Sequence, residues 1–427
     1  MKTLKYGSRG SLVQLLQLAL SRAGKPLDLD GSFGSATKAA LLAFQREESL
    51  PATGETSAAL WRALEPYTAG YTIHRFKRGE SLTGIAQMHG SALPDIETAN
   101  PGLDPLNIRP GAGIVVPLPF EPVPGNIAWS AYLAAQCMRG LTARYPFLSA
   151  GTFGHSAMGK PLRYLSAGLG ERKGIFTAAH HANEWITAPA LLRFVRELAE
   201  AYVSGGEVGG VPAAEIFART KLYFAPLVNP DGVDLVTGAL ESGYYSTRAE
   251  EIAADYPFVP FPDGWKANIR GTDLNLQYPA GWEAAQEIKY AQGWISPAPR
   301  DYVGTAPLAA SESRALYSLT RQVVPSIALA FHTQGEVIYW QYHGYAPPGA
   351  EELAEKLASA SGYALDSVPD ESSNAGYKDW CIDSLGIPAF TIECGLGENP
   401  LPLEQFAGIS AAASAICAEA AAWCATA

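Results

Sequence analysis

The chain has 427 residues, of which 48% are hydrophobic, so it is long and apolar enough to form two or three globular domains. Its formal net charge of -11 argues against nucleic acid as the main partner, because phosphate groups are bound by clustered Lys and Arg. Five scattered cysteines without a C-x-x-C pair exclude a disulfide framework and predict buried thiols.

The first predicted domain spans residues 1–66 and consists of three helices. The segments "GSLVQLLQLALSRAG", "GSATKAALLAFQ" and "TSAALWRAL" carry apolar residues at helical spacing and are separated by glycine turns. The pattern alone predicts a small helical bundle. Its motifs G-S-x-G, D-G-x-F-G-x-x-T and A-x-x-x-F-Q resemble the peptidoglycan-binding domain of bacterial wall hydrolases, which implies that peptidoglycan is the partner.

The second predicted domain spans residues 71–118 and has an α+β pattern. Strand-like runs stand at its two ends, and two short helical patterns lie between them. The series G-E-S-L, A-N-P-G-L and "GIVVPL" resembles a LysM module, which implies binding to glycan strands that contain N-acetylglucosamine. The proline-rich "PLPFEPVPGN" that follows predicts an extended linker.

The third predicted domain spans residues 127–427 and is of the α/β class. Four strand-like runs, "GIFTAA", "KLYFAPLV", "PSIALAF" and "PAFTIEC", alternate with helical patterns and predict a mixed, mainly parallel sheet. A polar residue stands at the end of each run: His181, Asn229, His332 and Glu393. Because ligands collect at the carboxyl ends of parallel strands, we expect the active site there.

The segment "AAHHANEW" contains two adjacent histidines and a glutamate. His180 and Glu184 are four residues apart, as on one helix face, whereas His181 and Glu184 are three apart, which suits a turn. A strand-like run precedes the segment and a helical pattern follows it, so a turn is expected and His181 is favoured. His181, Glu184 and His332 together form a ligand set that a catalytic zinc uses, with one position left open for water. Glu393 is then the expected base.

Residues 127–427 resemble the zinc carboxypeptidase family through "HANEW", "NPDG", "NIRGTDLN", the isolated His332 and "FTIEC". The resemblance implies one Zn²⁺ per chain with three protein ligands: His181, Glu184 and His332. It also implies that Asp273 orients His181, that Arg270 polarises the scissile carbonyl, and that Glu393 is the general base and acid. His180 is not a ligand under this resemblance.

One position departs from the exopeptidases of the zinc carboxypeptidase family. In those enzymes an arginine follows the asparagine of the D-x-N motif, and the two residues bind the carboxylate at the substrate's C-terminus. Here "DLNLQYP" keeps Asn275 but has Leu276 in the place of the arginine. The expected substrate-binding residues are therefore Asn275, Leu276 and Tyr377, the last at a shifted position from the tyrosine that covers the substrate in the family.

The whole chain resembles the bacterial γ-D-glutamyl-diamino acid endopeptidases. This implies cleavage of the bond between γ-D-Glu and diaminopimelate, or L-lysine, in peptidoglycan stem peptides. The alternatives are a wall-tethered carboxypeptidase, against which Leu276 argues, and a non-catalytic wall-binding protein, against which the complete ligand set argues. The aromatic-rich residues 233–265 form either one wall of the cleft or a structural insertion.

The ends of the chain bear on localisation. The early run "LVQLLQLAL" is too polar for a signal peptide, so we expect the cytoplasm or a sporulating cell, or the cell wall if a leader precedes this sequence. The alanine-rich C-terminal run includes Glu419 and predicts a packed helix rather than insertion into a membrane.

Overall fold

The computed structural model describes residues 3–369 and 372–426. The chain divides into two compact units, one formed by Met1–Ile127 with Tyr132–Ser149 and the other by Ala128–Ala131 with Ala150–Ala427. The first unit contains the segments predicted as a helical domain and an α+β domain. The second contains most of the segment predicted as the α/β domain, whereas residues 132–149 of that segment fall in the first unit.

The first unit begins with three helices and continues with a strand pair that flanks two more helices. Its helices are α1 (Ser11–Arg22), α2 (Ser35–Glu47), α3 (Ala58–Ala69), α4 (Leu82–His89), α5 (Leu93–Ala99) and α6 (Ala131–Arg144). The first residue of α6, Ala131, belongs to the second unit. Its strands β1 (Tyr71–Arg75) and β2 (Gly113–Pro117) pair antiparallel. The order of elements agrees with both predicted domain types.

Apolar spacing and capping explain the helices of this unit. Leu16 and Leu20 lie on the buried face of α1, as the periodicity predicts. The Ser57 hydroxyl caps α3 by accepting a hydrogen bond from the backbone N–H of Leu60. The helix ends at Gly70, whose φ of 81° favours glycine.

The second unit is built on an eight-stranded mixed sheet. Its strands are β3 (Ser149–His155), β4 (Pro161–Ala167), β5 (Arg172–Ala178), β8 (Thr220–Ala225), β9 (Ile327–His332), β10 (Val337–Tyr339), β11 (Ala364–Asp366) and β12 (Ala389–Glu393), with β6 (Glu207–Val208) and β7 (Val211–Pro212) forming a separate pair. The order is β11-β10-β12-β9-β5-β8-β4-β3. The central strands β12, β9, β5 and β8 run parallel, whereas β10 and β4 pair antiparallel with their neighbours β12 and β8. The predicted mixed, mainly parallel sheet is confirmed.

Helices cover both faces of this sheet. They are α7 (Thr187–Ser204), α8 (Ala213–Arg219), α9 (Pro230–Val236), α10 (Tyr244–Ala254), α11 (Trp282–Ala291), α12 (Ser311–Val323), α13 (Ala350–Ser361), α14 (Tyr377–Leu385) and α15 (Phe406–Thr426). Ile175 of β5 packs with α12 and α14 in one apolar cluster. Phe224 of β8 contacts Phe194 of α7, with ring centroids 6.0 Å apart.

The C-terminal helix α15 packs against α7 and α13. The segment Leu403–Thr426 is long and apolar enough, by length and composition, to cross a membrane. Half of the apolar 18-residue stretch within it is buried inside the fold. The helix is packed in the fold, as predicted, whereas the absence of membrane insertion stays a prediction. All five cysteines are free and buried, as expected from their scatter.

The register of the parallel strands places the polar strand ends side by side. Glu393 at the end of β12 lies opposite His332 at the end of β9. Ala178 at the end of β5 lies opposite Phe331, one residue before His332. The turn that follows β5 therefore reaches the same edge of the sheet, which is where the candidate site lies.

Candidate active site

Three side chains at this edge of the sheet are close enough to bind one metal ion. His181 Nδ1 lies 2.8 Å from Glu184 Oε1, His332 Nδ1 lies 2.9 Å from Glu184 Oε2, and the two Nδ1 atoms are 3.2 Å apart. Ligands at 2.0–2.1 Å from a tetrahedral zinc are separated by about 3.3 Å. The donor set and its spacing therefore fit Zn²⁺, and the three residues are those predicted as ligands.

A tight turn after β5 explains why His181, rather than His180, joins Glu184. Ala179 adopts a φ of 50°, which reverses the chain, and its N–H donates to Thr187 Oγ1. The Thr187 hydroxyl in turn donates to the Glu184 carbonyl oxygen at 2.8 Å. The turn is a short 3₁₀ segment, Ala182–Glu184, in which residues three apart come together.

Asp273 lies behind His181, as predicted. Its Oδ1 lies 3.2 Å from His181 Nε2 and accepts a hydrogen bond from the Asn275 N–H. Burial alone would raise the pKa of Asp273, but His181 and the Asn275 N–H lower this pKa below its usual range. The aspartate therefore stays ionised and holds the imidazole so that Nδ1 faces the metal position.

Glu393 stands at the end of β12, beside the ligand cluster. Its burial raises the pKa of its carboxyl, and the Glu184 carboxylate adds to this rise against the opposing effects of His332 and Lys266. A carboxyl with a raised pKa can both accept a proton and return it near neutral pH. This position agrees with the role predicted for Glu393.

Two cavities share Glu393 in their linings. The narrow cavity has a volume of about 280 Å³ and is lined by residues that include His181, Asp273, Asn275 and Leu276. The wide cavity has a volume of about 1060 Å³ and is lined mainly by residues 258–264 and 397–400 with Trp294. Both are lined by one shared set of side chains: Lys266, Arg300, Asp301, Tyr339 and Glu393.

Asn275 and Leu276 lie at the narrow cavity, where the sequence predicts substrate binding. The Asn275 Oδ1 accepts a hydrogen bond from the Tyr377 N–H at 3.0 Å, which fixes the orientation of the amide. Leu276 is only 8% exposed and packs in a small apolar cluster with Trp282 and Val303. Its surroundings are therefore built for an apolar side chain.

Two predicted site residues, Arg270 and Tyr377, do not line either of these two cavities. The exposed Arg270 lines neither cavity, and its guanidinium lies 3.5 Å from the Tyr245 hydroxyl. Tyr377 is 1% exposed, and its hydroxyl hydrogen-bonds to Thr320 Oγ1 at 2.8 Å in the core. The buried Tyr377 side chain is therefore not placed to contact a substrate, and the role predicted for Arg270 stays a prediction.

Lys266 and Tyr339 occupy the site instead, and sequence reasoning missed both. Lys266 Nζ lies 3.3 Å from Glu184 Oε1, and the Lys266 carbonyl oxygen accepts from the Ala182 N–H in the metal-binding turn. Burial lowers the pKa of Lys266, but Glu184 and other carboxylates raise it more, so the side chain stays charged. The only sequence signal for Lys266 is that "WKANIR" contains two cationic residues, and the pattern does not show which of them lies in the site.

Comparison with known families supports the domain order. Residues 134–413 match the family described as zinc carboxypeptidase, residues 9–64 match a peptidoglycan binding domain, and residues 74–117 match the LysM domain. The first of these matches covers more than half of the chain. With the donor set described above, it identifies Zn²⁺ as the cofactor.

Individual relatives match a little under two thirds of the chain. The chain is 38% identical over 269 residues to γ-D-glutamyl-L-diamino acid endopeptidase 1 of Lysinibacillus sphaericus, a match that covers 63% of this chain and 66% of that protein. It is 38% identical over 275 residues to the uncharacterized protein YqgT of Bacillus subtilis, covering 64% and 71%. The first of these matches spans just under two thirds of the relative's length.

A solved structure shows the same fold. The crystal structure of thrombin activatable fibrinolysis inhibitor superimposes with a TM-score of 0.54 at 20% sequence identity, covering 70% of this chain and 75% of that one. At this level of identity the likeness extends to the fold alone.

Proposed function

Because the chain belongs to the zinc carboxypeptidase family, we propose that it is a zinc-dependent peptidase that hydrolyses the bond between γ-D-Glu and the diamino acid of peptidoglycan stem peptides. The observation that carries this proposal is Leu276, which lines the narrow cavity where the exopeptidases of the family have an arginine. The name of the Lysinibacillus relative and the two wall-binding domains support it.

The residues of the site divide the chemistry between them. His181, Glu184 and His332 would hold Zn²⁺, which when bound would supply a Lewis acid for the scissile carbonyl and for an attacking water. Glu393 takes the proton of that water and returns it to the leaving amine. Lys266, rather than Arg270, stabilises the negative charge that grows on the carbonyl oxygen. Asp273 keeps the Nε2–H of His181 in place throughout the reaction.

The role of Lys266 is tested by comparing Lys266→Met with Arg270→Met. We expect Lys266→Met to lower kcat by about 10²- to 10³-fold, the cost of losing one group that stabilises the oxyanion. Because Lys266 contacts the metal ligand Glu184, zinc content is measured on the same preparations. Arg270→Met should stay within about twofold of wild type. The reverse outcome would return the polarising role to Arg270.

The narrow cavity also supports a diamino acid on the leaving side of the bond. Lys289 Nζ lies 2.8 Å from Asp301 Oδ1, and Lys378 forms a second ion pair with Asp379, both at the cavity. Buried ion pairs contribute little to stability compared with apolar packing, so two of them at one cavity favour a binding role. These ion pairs offer positive and negative groups to the polar end of a diamino acid side chain.

The bond that is cut distinguishes the endopeptidase from a carboxypeptidase. We expect the wild-type protein to convert L-Ala-γ-D-Glu-diaminopimelate-D-Ala into L-Ala-D-Glu and diaminopimelyl-D-Ala, as measured by mass spectrometry. Without the arginine, a C-terminal carboxylate gains no cation from position 276, so a hippuryl-type carboxypeptidase substrate should be poor. Release of D-Ala alone, or preference for the hippuryl substrate, would support the alternative of a wall-tethered carboxypeptidase.

We further propose that the two N-terminal domains hold the protein on peptidoglycan and that α15 does not insert into a membrane. The matches of residues 9–64 and 74–117 support the first part, and the half-buried α15 supports the second. A non-catalytic role is disfavoured because the metal ligands and Glu393 are all in place. Action in a sporulating cell stays a prediction from the sequence.

A further inference from the structure

The wide cavity has a lining that peptide hydrolysis alone does not explain. Its apolar part consists of Phe258, Val259, Pro260, Trp294 and Pro400, and its polar part is mostly amide, hydroxyl and carboxylate groups. Most of the apolar part belongs to residues 233–265, whose purpose the sequence leaves open. The structure places residues 258–264 at the cavity, where they form one wall of the cleft.

Three aromatic rings form a continuous shelf at this wall. Tyr256 stacks on Trp294 with ring centroids 5.3 Å apart and ring planes at 20°. The ring centroids of Phe258 and Trp294 are 5.9 Å apart. Phe258 is 72% exposed although it is supported on one side by these rings. An exposed aromatic face beside a catalytic cleft is typical of a ligand-binding surface.

The buried amide of Asn183 lies at the same cavity. Asn183 is 4% exposed and lines the wide cavity, and its Nδ2 donates to the Asp263 carbonyl oxygen at 3.0 Å. Its Oδ1 has no hydrogen-bond partner among the residues that the structure describes. The Oδ1 atom is itself shielded from solvent, so the amide supports this wall through its bond to Asp263 and offers no acceptor to a ligand.

The position of the wide cavity tells which part of the substrate it faces. Asn275 and Leu276, which occupy the positions that bind the leaving residue in the family, lie at the narrow cavity. Glu393 and Lys266 line both cavities, so the scissile bond lies between them. The wide cavity therefore faces the acyl side of the bond, which is L-Ala-γ-D-Glu and whatever is attached to its amino end.

The size of the wide cavity exceeds what this dipeptide requires. At about 1060 Å³ it lies just above the range of about 300–1,000 Å³ that is usual for small-molecule sites. In peptidoglycan the amino end of the stem L-Ala is joined through a lactyl group to N-acetylmuramic acid. A sugar ring has apolar C–H faces and polar edges, which match an aromatic shelf beside amide and carboxylate groups.

We propose that the wide cavity is a sugar subsite that binds the N-acetylmuramyl group of a stem peptide still attached to its glycan. The ring packs on Phe258 and Trp294. This proposal rests on the proposed function, since it needs L-Ala-γ-D-Glu on the acyl side. It makes the glycan-attached stem, rather than the free peptide, the better substrate.

The test compares two soluble substrates with the full-length protein: free L-Ala-γ-D-Glu-diaminopimelate-D-Ala, and the same peptide joined to N-acetylmuramic acid. We expect wild type to cleave the muramyl peptide with a higher kcat/KM. Phe258→Ala should lower kcat/KM for the muramyl peptide by about fivefold to tenfold, the size expected when one ring face no longer covers an apolar surface. It should leave kcat/KM for the free peptide within about twofold, and Phe258→Tyr should restore the preference.

Tyr244→Ala is the matched control, because Tyr244 is 76% exposed in the same insertion but lines neither cavity. It should change neither value. Equal kcat/KM for both substrates, or an equal loss on both in Phe258→Ala, overturns the sugar subsite and leaves the endopeptidase proposal standing. Failure of wild type to cut either substrate at γ-D-Glu overturns the proposed function itself.

Discussion

Replacing Glu393 by glutamine is expected to lower kcat by about 10²- to 10⁴-fold while the protein keeps its zinc. The amide has nearly the shape of the carboxylate but cannot take a proton from water and return it to the leaving amine. Glu393 is not one of the three metal-binding residues, so the metal should stay. The measurements are kcat on the stem tetrapeptide and zinc per chain by elemental analysis.

The matched control for this variant is Glu355→Gln, an exposed carboxylate on α13 away from both cavities. It removes the same charge and should leave kcat unchanged. Turnover near the wild-type value in Glu393→Gln would remove Glu393 from the mechanism. Loss of zinc in that variant would instead assign Glu393 a part in metal binding.

Replacing His332 by alanine should abolish both zinc binding and hydrolysis. A catalytic zinc has three protein ligands, and removal of one leaves only His181 and Glu184 to hold the ion. Metal affinity also depends on a complete, oriented ligand set, and Asp273 behind His181 does not replace a ligand. The wild-type enzyme should likewise lose activity on chelation and recover it when Zn²⁺ is added.

The control for the His332 variant is His155→Ala, which removes an exposed imidazole from β3 that is not among the metal-binding residues. It should retain one zinc per chain and normal kcat. Elemental analysis after dialysis against chelator measures the metal, and the stem tetrapeptide assay measures turnover. Persistent activity in His332→Ala with metal shown to be gone would show that the site assignment is wrong.

Local patterns in the sequence determined the domain types and the metal ligands. The spacing of His181 and Glu184 requires only a turn at the end of a strand, and such a turn is what the structure has. His332 and Glu393 end neighbouring parallel strands, whose register places them opposite each other. The turn follows from local hydrogen bonding, and apolar patterns indicate the two strands, whereas their pairing and register join segments far apart in the sequence.

The remaining site residues depended on contacts between distant segments. Lys266 reaches the site because its backbone carbonyl bonds to the metal-binding turn, while Arg270, four residues later, points to Tyr245. Tyr377 begins a helix, and packing in the core turns its side chain towards Thr320 rather than towards the cavity. In a loop or at a helix start, the sequence does not show which way a side chain points, because that direction is set by partners far along the chain. Only the tertiary structure decided which cation and which aromatic groups line the two cavities.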